Sequence, residues 1–200
     1  MLALFMRMKG AFSMIKKRLL ENFSILDLLV ITLIGSLGVA ISGIIGYMVR
    51  IVTSFLFIPG GAVVGGIYML FLVIPVALTG KRSAAILTAV VQAIVVLVMP
   101  WAGSHGIATL ITYTLPGIAI FILLVTVLRK HNGCCKMCCF FACMVANLTG
   151  VALVSGVVMN LPLIPMLLGL TVGALSGGLG GLLTYSLAKK IKDLGVVFSE

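Results

Sequence analysis

Apolar residues run along the chain in six long blocks, at 25–49, 58–79, 83–99, 107–128, 138–158 and 162–187. A hydrocarbon core about 30 Å thick takes about 20 apolar residues in a helix. In lipid the backbone must satisfy its own hydrogen bonds, so blocks of this length predict membrane-spanning helices. The strict alternation of a membrane barrel strand is absent. The pattern therefore predicts an all-α, polytopic membrane protein, a bundle of six transmembrane helices over residues 25–188. The third block is the shortest, and the sixth is long enough to tilt.

The breaks carry the expected punctuation. Pro59-Gly60-Gly61 opens the second block, and Gly80-Lys81-Arg82-Ser83 makes a tight turn before the third. The stretches Pro100 to Gly106, Lys130 to Gly133 and Asn160-Leu161-Pro162 separate the later ones. Gly permits, and Pro imposes, non-helical backbone at such points. Pro75 and Pro116 fall inside blocks and predict kinks there.

Composition sharpens this picture. Of 200 residues, 62% are apolar and only 9% are charged, too few polar groups to cover a soluble globule. The four carboxylates are Glu21, Asp27, Asp193 and Glu200, so none lies between residues 28 and 192. That excludes paired-carboxylate catalysis and carboxylate proton relays within the bundle; no catalytic residue and no cofactor is expected. The basic residues set the topology. All but Arg50 fall in the leader, in the 2–3 and 4–5 links, or in the tail. The positive-inside rule places these segments, and both termini, in the cytoplasm of a plasma membrane. Anionic lipid accounts for the net charge of +10, and no basic patch interleaved with aromatics points to nucleic acid. Residues 1–24 lack a secretory core and cleavage site. They read as a basic amphipathic leader on the inner surface, or as a disordered one, and residues 189–200 as a basic tail.

The outer side gathers groups able to hold a small molecule. Trp101, Ser104 and His105 lie in the 3–4 link, Tyr113 in the outer half of helix 4, and Asn160 in the 5–6 link. Trp101 and Tyr113 could stack on a flat ring, while His105 and Asn160 could supply hydrogen bonds. Interface anchoring is the competing role for the aromatics. Gln92, near the middle of helix 3, either contacts substrate or bonds a neighbouring helix, as does Asn147 in helix 5. Small residues three to four apart on helix 1 allow close helix approach, within the bundle or to a partner.

The five cysteines cluster between 134 and 143, so they do not staple distant segments. Cys135 and Cys138 form a C-x-x-C near His131, a weak zinc signal. Lipidation and incidental helix-end thiols are the alternatives, and no metal site is assigned. The chain has no Walker motif, no nucleophile elbow and no H-E-x-x-H, so neither a built-in ATPase nor an enzyme is indicated.

The stretch Ile58 to Tyr68, continuing through Thr79-Gly80-Lys81-Arg82-Ser83, resembles the substrate-specific (S) components of energy-coupling factor (ECF) transporters. Ala84 to Pro100, Ser104-His105-Gly106, Tyr113 to Gly117 and Ala174 to Leu183 extend the likeness, which is greatest to the YkoE type. The resemblance implies a six-helix subunit that captures a vitamin-like compound, thiamine or its hydroxymethylpyrimidine precursor, near the outer surface. It implies partners as well: a membrane coupling protein and two ATP-binding subunits. The docking face maps to Ser36, Ala40 and Gly43 of helix 1. The chain departs from the type by having no carboxylate in the bundle to pair with a thiazolium cation, which favours a neutral or weakly polar ligand. A stand-alone facilitator and a scaffold subunit of another membrane complex are the competing functions.

Overall fold

The computed structural model describes residues 23–53, 60–99, 106, 108–128 and 135–194, with the side chains of Arg50, Val52 and Thr53 left aside. It is a polytopic membrane bundle of helices, without strands among the described residues. The helices are α1 (Ile25–Thr53), α2 (Gly60–Thr79), α3 (Ala84–Val98), α4 (Ala108–Thr126), α5 (Lys136–Leu153) and α6 (Leu163–Asp193). A π-helical turn, Val154–Val158, continues α5. All but α3 are long and apolar enough to cross a membrane. The third predicted span has 15 residues, about 22 Å at 1.5 Å per residue, and falls short of the hydrocarbon core. The sixth runs past its apolar block to Asp193, carrying Lys189, Lys190 and Lys192 on helix.

α2 is the central helix, packed on by α1, α3, α5 and α6. Around it runs the sequence of contacts α1–α3–α4–α5–α6. The seams α5–α6 and α2–α6 are the most extensive, and glycine makes them. A Cβ on Gly181 would stand 2.5 Å from the Cys139 carbonyl oxygen, and one on Gly177 2.8 Å from that of Cys143. Gly66 and Gly180 likewise meet the backbone of the facing helix, at Ser176 and Gly66 respectively. In lipid, close backbone approach replaces the hydrophobic drive between helices. The two Gly-rich stretches, 60–66 and 176–181, thus meet at Gly66, Ser176 and Gly180, while Gly65 from one and Gly177, Gly178 and Gly181 from the other close on α5.

Polar links cross these seams. Asn147 is buried, and its Nδ2 donates to Gly173 O at 2.7 Å and to Ala62 O at 3.3 Å, joining α5 to α6 and α2. Ser176 Oγ donates to Val63 O and accepts from Gly66 N at 3.1 Å. α2 ends at Gly80, whose φ of +68° suits glycine, and whose N donates to Val76 O at 2.9 Å. Immediately beyond it Lys81 reaches Asp27 at the start of α1, so these two ends share one side of the bundle. That side is called the basic end below.

Candidate functional site

Toward the opposite, far end, α1, α2 and α3 converge where α1 has no side chain. A Cβ on Gly38 would lie 2.5 Å from Phe71 Cβ and 3.2 Å from Gln92 Nε2. One residue on, Val39 joins Val96 in a fully buried apolar pair, with Tyr68, Val95 and Tyr113 packed around it. The rings of Tyr68 and Tyr113 meet edge to face, their centroids 5.3 Å apart. Four helices therefore contribute to one small cluster.

Two polar side chains stand on the same helix faces as this cluster. Gln92 precedes Val96 by one turn, and Ser42 follows Val39 by one turn. Each is only 2% exposed, and neither Gln92 Nε2 nor Ser42 Oγ has a hydrogen-bond partner. An unsatisfied buried donor costs about 1–3 kcal/mol, which is why most buried polar groups are paired. By contrast, the Thr112 and Thr114 hydroxyls of α4 are satisfied within their own helix. Thr112 donates to Thr109 O at 3.3 Å, and Thr114 to Leu110 O. Open polar capacity thus falls on Gln92 and Ser42, one turn from the apolar pair, and on the Tyr68 hydroxyl within the cluster, which likewise has no hydrogen-bond partner.

Of the residues singled out by sequence, Tyr113 belongs to this cluster, and Gln92 lies one turn from its Val96 on α3. Trp101, Ser104 and His105 lie outside the described residues, as does the side chain of Arg50. Asn160 is exposed in the α5–α6 link, where it adopts φ +47°, a left-handed conformation that Asn tolerates. It is not part of the cluster. Tyr68 and Ser42 are members that sequence reasoning did not place in a site. The hydroxyl of Ser155, 1% exposed and in the π turn at the far end of α5, also has no hydrogen-bond partner.

The small residues of α1 divide between two faces. Gly35, Gly38 and Ser42 turn inward, Gly35 against Thr88 and Val91 of α3. Ser36, Ala40 and Gly43 are half-buried, beside the exposed Leu33, Leu37, Ile44 and Tyr47. The Ser36 hydroxyl donates to Thr32 O at 2.7 Å and adds no free polarity to that stripe. At the basic end, Cys135 and Cys138 are joined in a disulfide, and Cys135 Sγ accepts from Cys138 N at 3.1 Å. His131 and Cys134 lie outside the described residues. Among the described residues no three His, Cys, Asp or Glu side chains gather as a metal site.

No curated protein matches the sequence. A crystal structure of an S-component of an ECF transporter matches the fold with a TM-score of 0.71, at 15% identity, over 88% of each chain. The fold is that of an S component. The family model for the permease component of ABC-type cobalt transport systems matches residues 26–149. The chain belongs to this family of ABC-type cobalt transport system permease components.

Proposed function

We propose that this chain is the substrate-binding membrane subunit of an ECF-type importer. It captures a small vitamin-like compound at the far end and docks on a membrane coupling protein driven by two ATP-binding subunits. The observation that carries the reading is the S-component fold, matched over 88% of the chain. In this reading the basic end is cytoplasmic, because basic residues remain on that side. The far-end cluster then faces outward, and the half-buried stripe Ser36, Ala40, Gly43 meets the coupling protein.

Gln92, Tyr113, Tyr68 and Ser42 bind the ligand, and Trp101, Ser104, His105 and Asn160 of the outer links are further candidates for substrate binding. These groups are neutral, so a hydroxymethylpyrimidine suits them better than thiamine with its cationic thiazolium. The family's description names cobalt. A divalent cation takes imidazole, thiolate or carboxylate ligands. The cluster offers an amide, hydroxyls and rings, which favours an organic cargo.

A mild-detergent pull-down from the native host, read by mass spectrometry, tests the reading. A coupling membrane protein with two ATPases, and a retained organic ligand, is the expected result. Ligand flux in liposomes holding this chain alone, without ATP, would replace the reading with that of a facilitator. A folded chain that retains no ligand, takes no ATPase module and tolerates changes at Gln92 and Tyr113 would be a scaffold.

A further inference from the structure

We propose that Cys135 and Cys138 form a reversible dithiol–disulfide site at the start of α5. Three observations bring the pair together. The two sulfurs are bonded across three residues, with Cα atoms 5.1 Å apart. Cys135 is partly exposed, whereas Cys138 is 1% exposed, so an incoming thiol has one accessible sulfur to attack. The N–H of Cys138 donates to Cys135 Sγ at 3.1 Å, and it is one of the backbone donors that α5 leaves free at its first turn.

The chemistry balances with an external dithiol as the reductant. Its first thiolate attacks Cys135 Sγ, forming a mixed disulfide and expelling Cys138 as a thiolate. Its second sulfur attacks the mixed disulfide and expels Cys135. The reagent ends as a disulfide, and the protein gains two electrons and two protons as two thiols. Both leaving sulfurs sit at the N-terminus of α5. The free Cys135 sulfur keeps the Cys138 N–H as a cap donor. Cys139 and Cys143 take no part. Both are fully enclosed, and Cys143 Sγ lies 3.6 Å from Met69 O and 3.5 Å from Thr184 Oγ1.

The site also touches the packing of the bundle. The residues directly after Cys138 seat α6: Gly181 lies on Cys139 O and Phe140 Cα, and Gly178 on the Phe140 ring. A redox change at the cap therefore acts on the edge of the α5–α6 seam. The inference is independent of which leaflet holds the basic end, and of what the far-end cluster binds.

Differential alkylation of the full chain in nanodiscs tests it. The protein is oxidised with copper–phenanthroline and then denatured in the presence of a light maleimide, which blocks every free thiol, the buried Cys139 and Cys143 included. Dithiothreitol and a heavy maleimide follow, with peptide mapping. The expected result is two heavy labels, on Cys135 and Cys138, with both lost in Cys135→Ser and in Cys138→Ser. Reduction of the folded protein should raise hydrogen exchange at residues 136–140. Heavy label on Cys134 in place of either residue, or no heavy label at all, would overturn the proposal. So would protection that a zinc chelator releases and dithiothreitol does not.

Discussion

Lys81 Nζ donates to Asp27 Oδ2 at 2.7 Å, and the same carboxylate oxygen accepts from Ser24 N at 3.0 Å. The pair ties the first turn of α1 to the tight turn after α2, and Lys81 also stands 5.2 Å over the Phe23 ring. The partners are unequal: the Asp27 side chain is 1% exposed and that of Lys81 is 22%. Removing Lys81 strands a buried carboxylate. Removing the charge of Asp27 leaves a lysine that reaches solvent. Lys81→Ala should therefore destabilise by about 2–3 kcal/mol and Asp27→Asn by about 1 kcal/mol. Thermal melts in one detergent check the order, and equal losses would show the pair to be a surface contact.

The α2–α6 seam predicts opposite effects for two glycine substitutions. A methyl group on Gly180 meets the backbone of Gly66, whereas one on Gly46 meets nothing within 4 Å. Gly180→Ala should cost about 1–3 kcal/mol as the helices part. Gly46→Ala should be neutral, or stabilise by up to about 1 kcal/mol through better helix propensity. Melting temperatures measure both, and a harmless Gly180→Ala would contradict the packing described.

Asn147 gives an isosteric test. Its amide donates to two carbonyls, so Asn147→Asp turns a donor toward them into an acceptor. Asn147→Ala should cost about 1–2 kcal/mol, and Asn147→Asp clearly more. Folded yield and melting temperature in nanodiscs would show the difference. If the aspartate variant were the milder one, the amide orientation would be wrong.

Gln92 separates binding from structure. Its buried Nε2 has no partner, so Gln92→Leu should leave stability unchanged or raise it by about 1 kcal/mol. Affinity for the retained ligand should fall at least about tenfold, the worth of roughly 1.4 kcal/mol. Calorimetry of ligand binding beside a thermal melt checks both. A large loss of stability with affinity preserved would make Gln92 a helix-bonding residue.

Helix ends were legible because their signals are local. Gly80, the Asn160-Leu161-Pro162 link and the lengths of the apolar blocks placed most boundaries within two or three residues. Which face of each helix turns inward was less legible. Lipid and core are both apolar, so a residue such as Leu33 on the outside looks like Ile31 on the inside. Glycine carried part of that information, since Gly38 and Gly66 mark where backbones close up. The pairing of Asp27 with Lys81, and the meeting of Tyr68 with Tyr113, depend on contacts between helices, and no spacing along one helix encodes them. The cap at Cys135 was hidden for another reason: the C-x-x-C pattern is common to zinc, redox and incidental thiols.

The brevity of α3 reaches beyond the protein. A helix of about 22 Å in a hydrocarbon slab of about 30 Å brings its polar flanks within the nominal thickness of the bilayer. The surrounding lipid must thin there, or the molecule must lean, and either response is cheap in short-chain lipid and dear in long-chain lipid. Acyl-chain length thus acts as a control on this protein, and the same sequence will perform differently in membranes of different thickness.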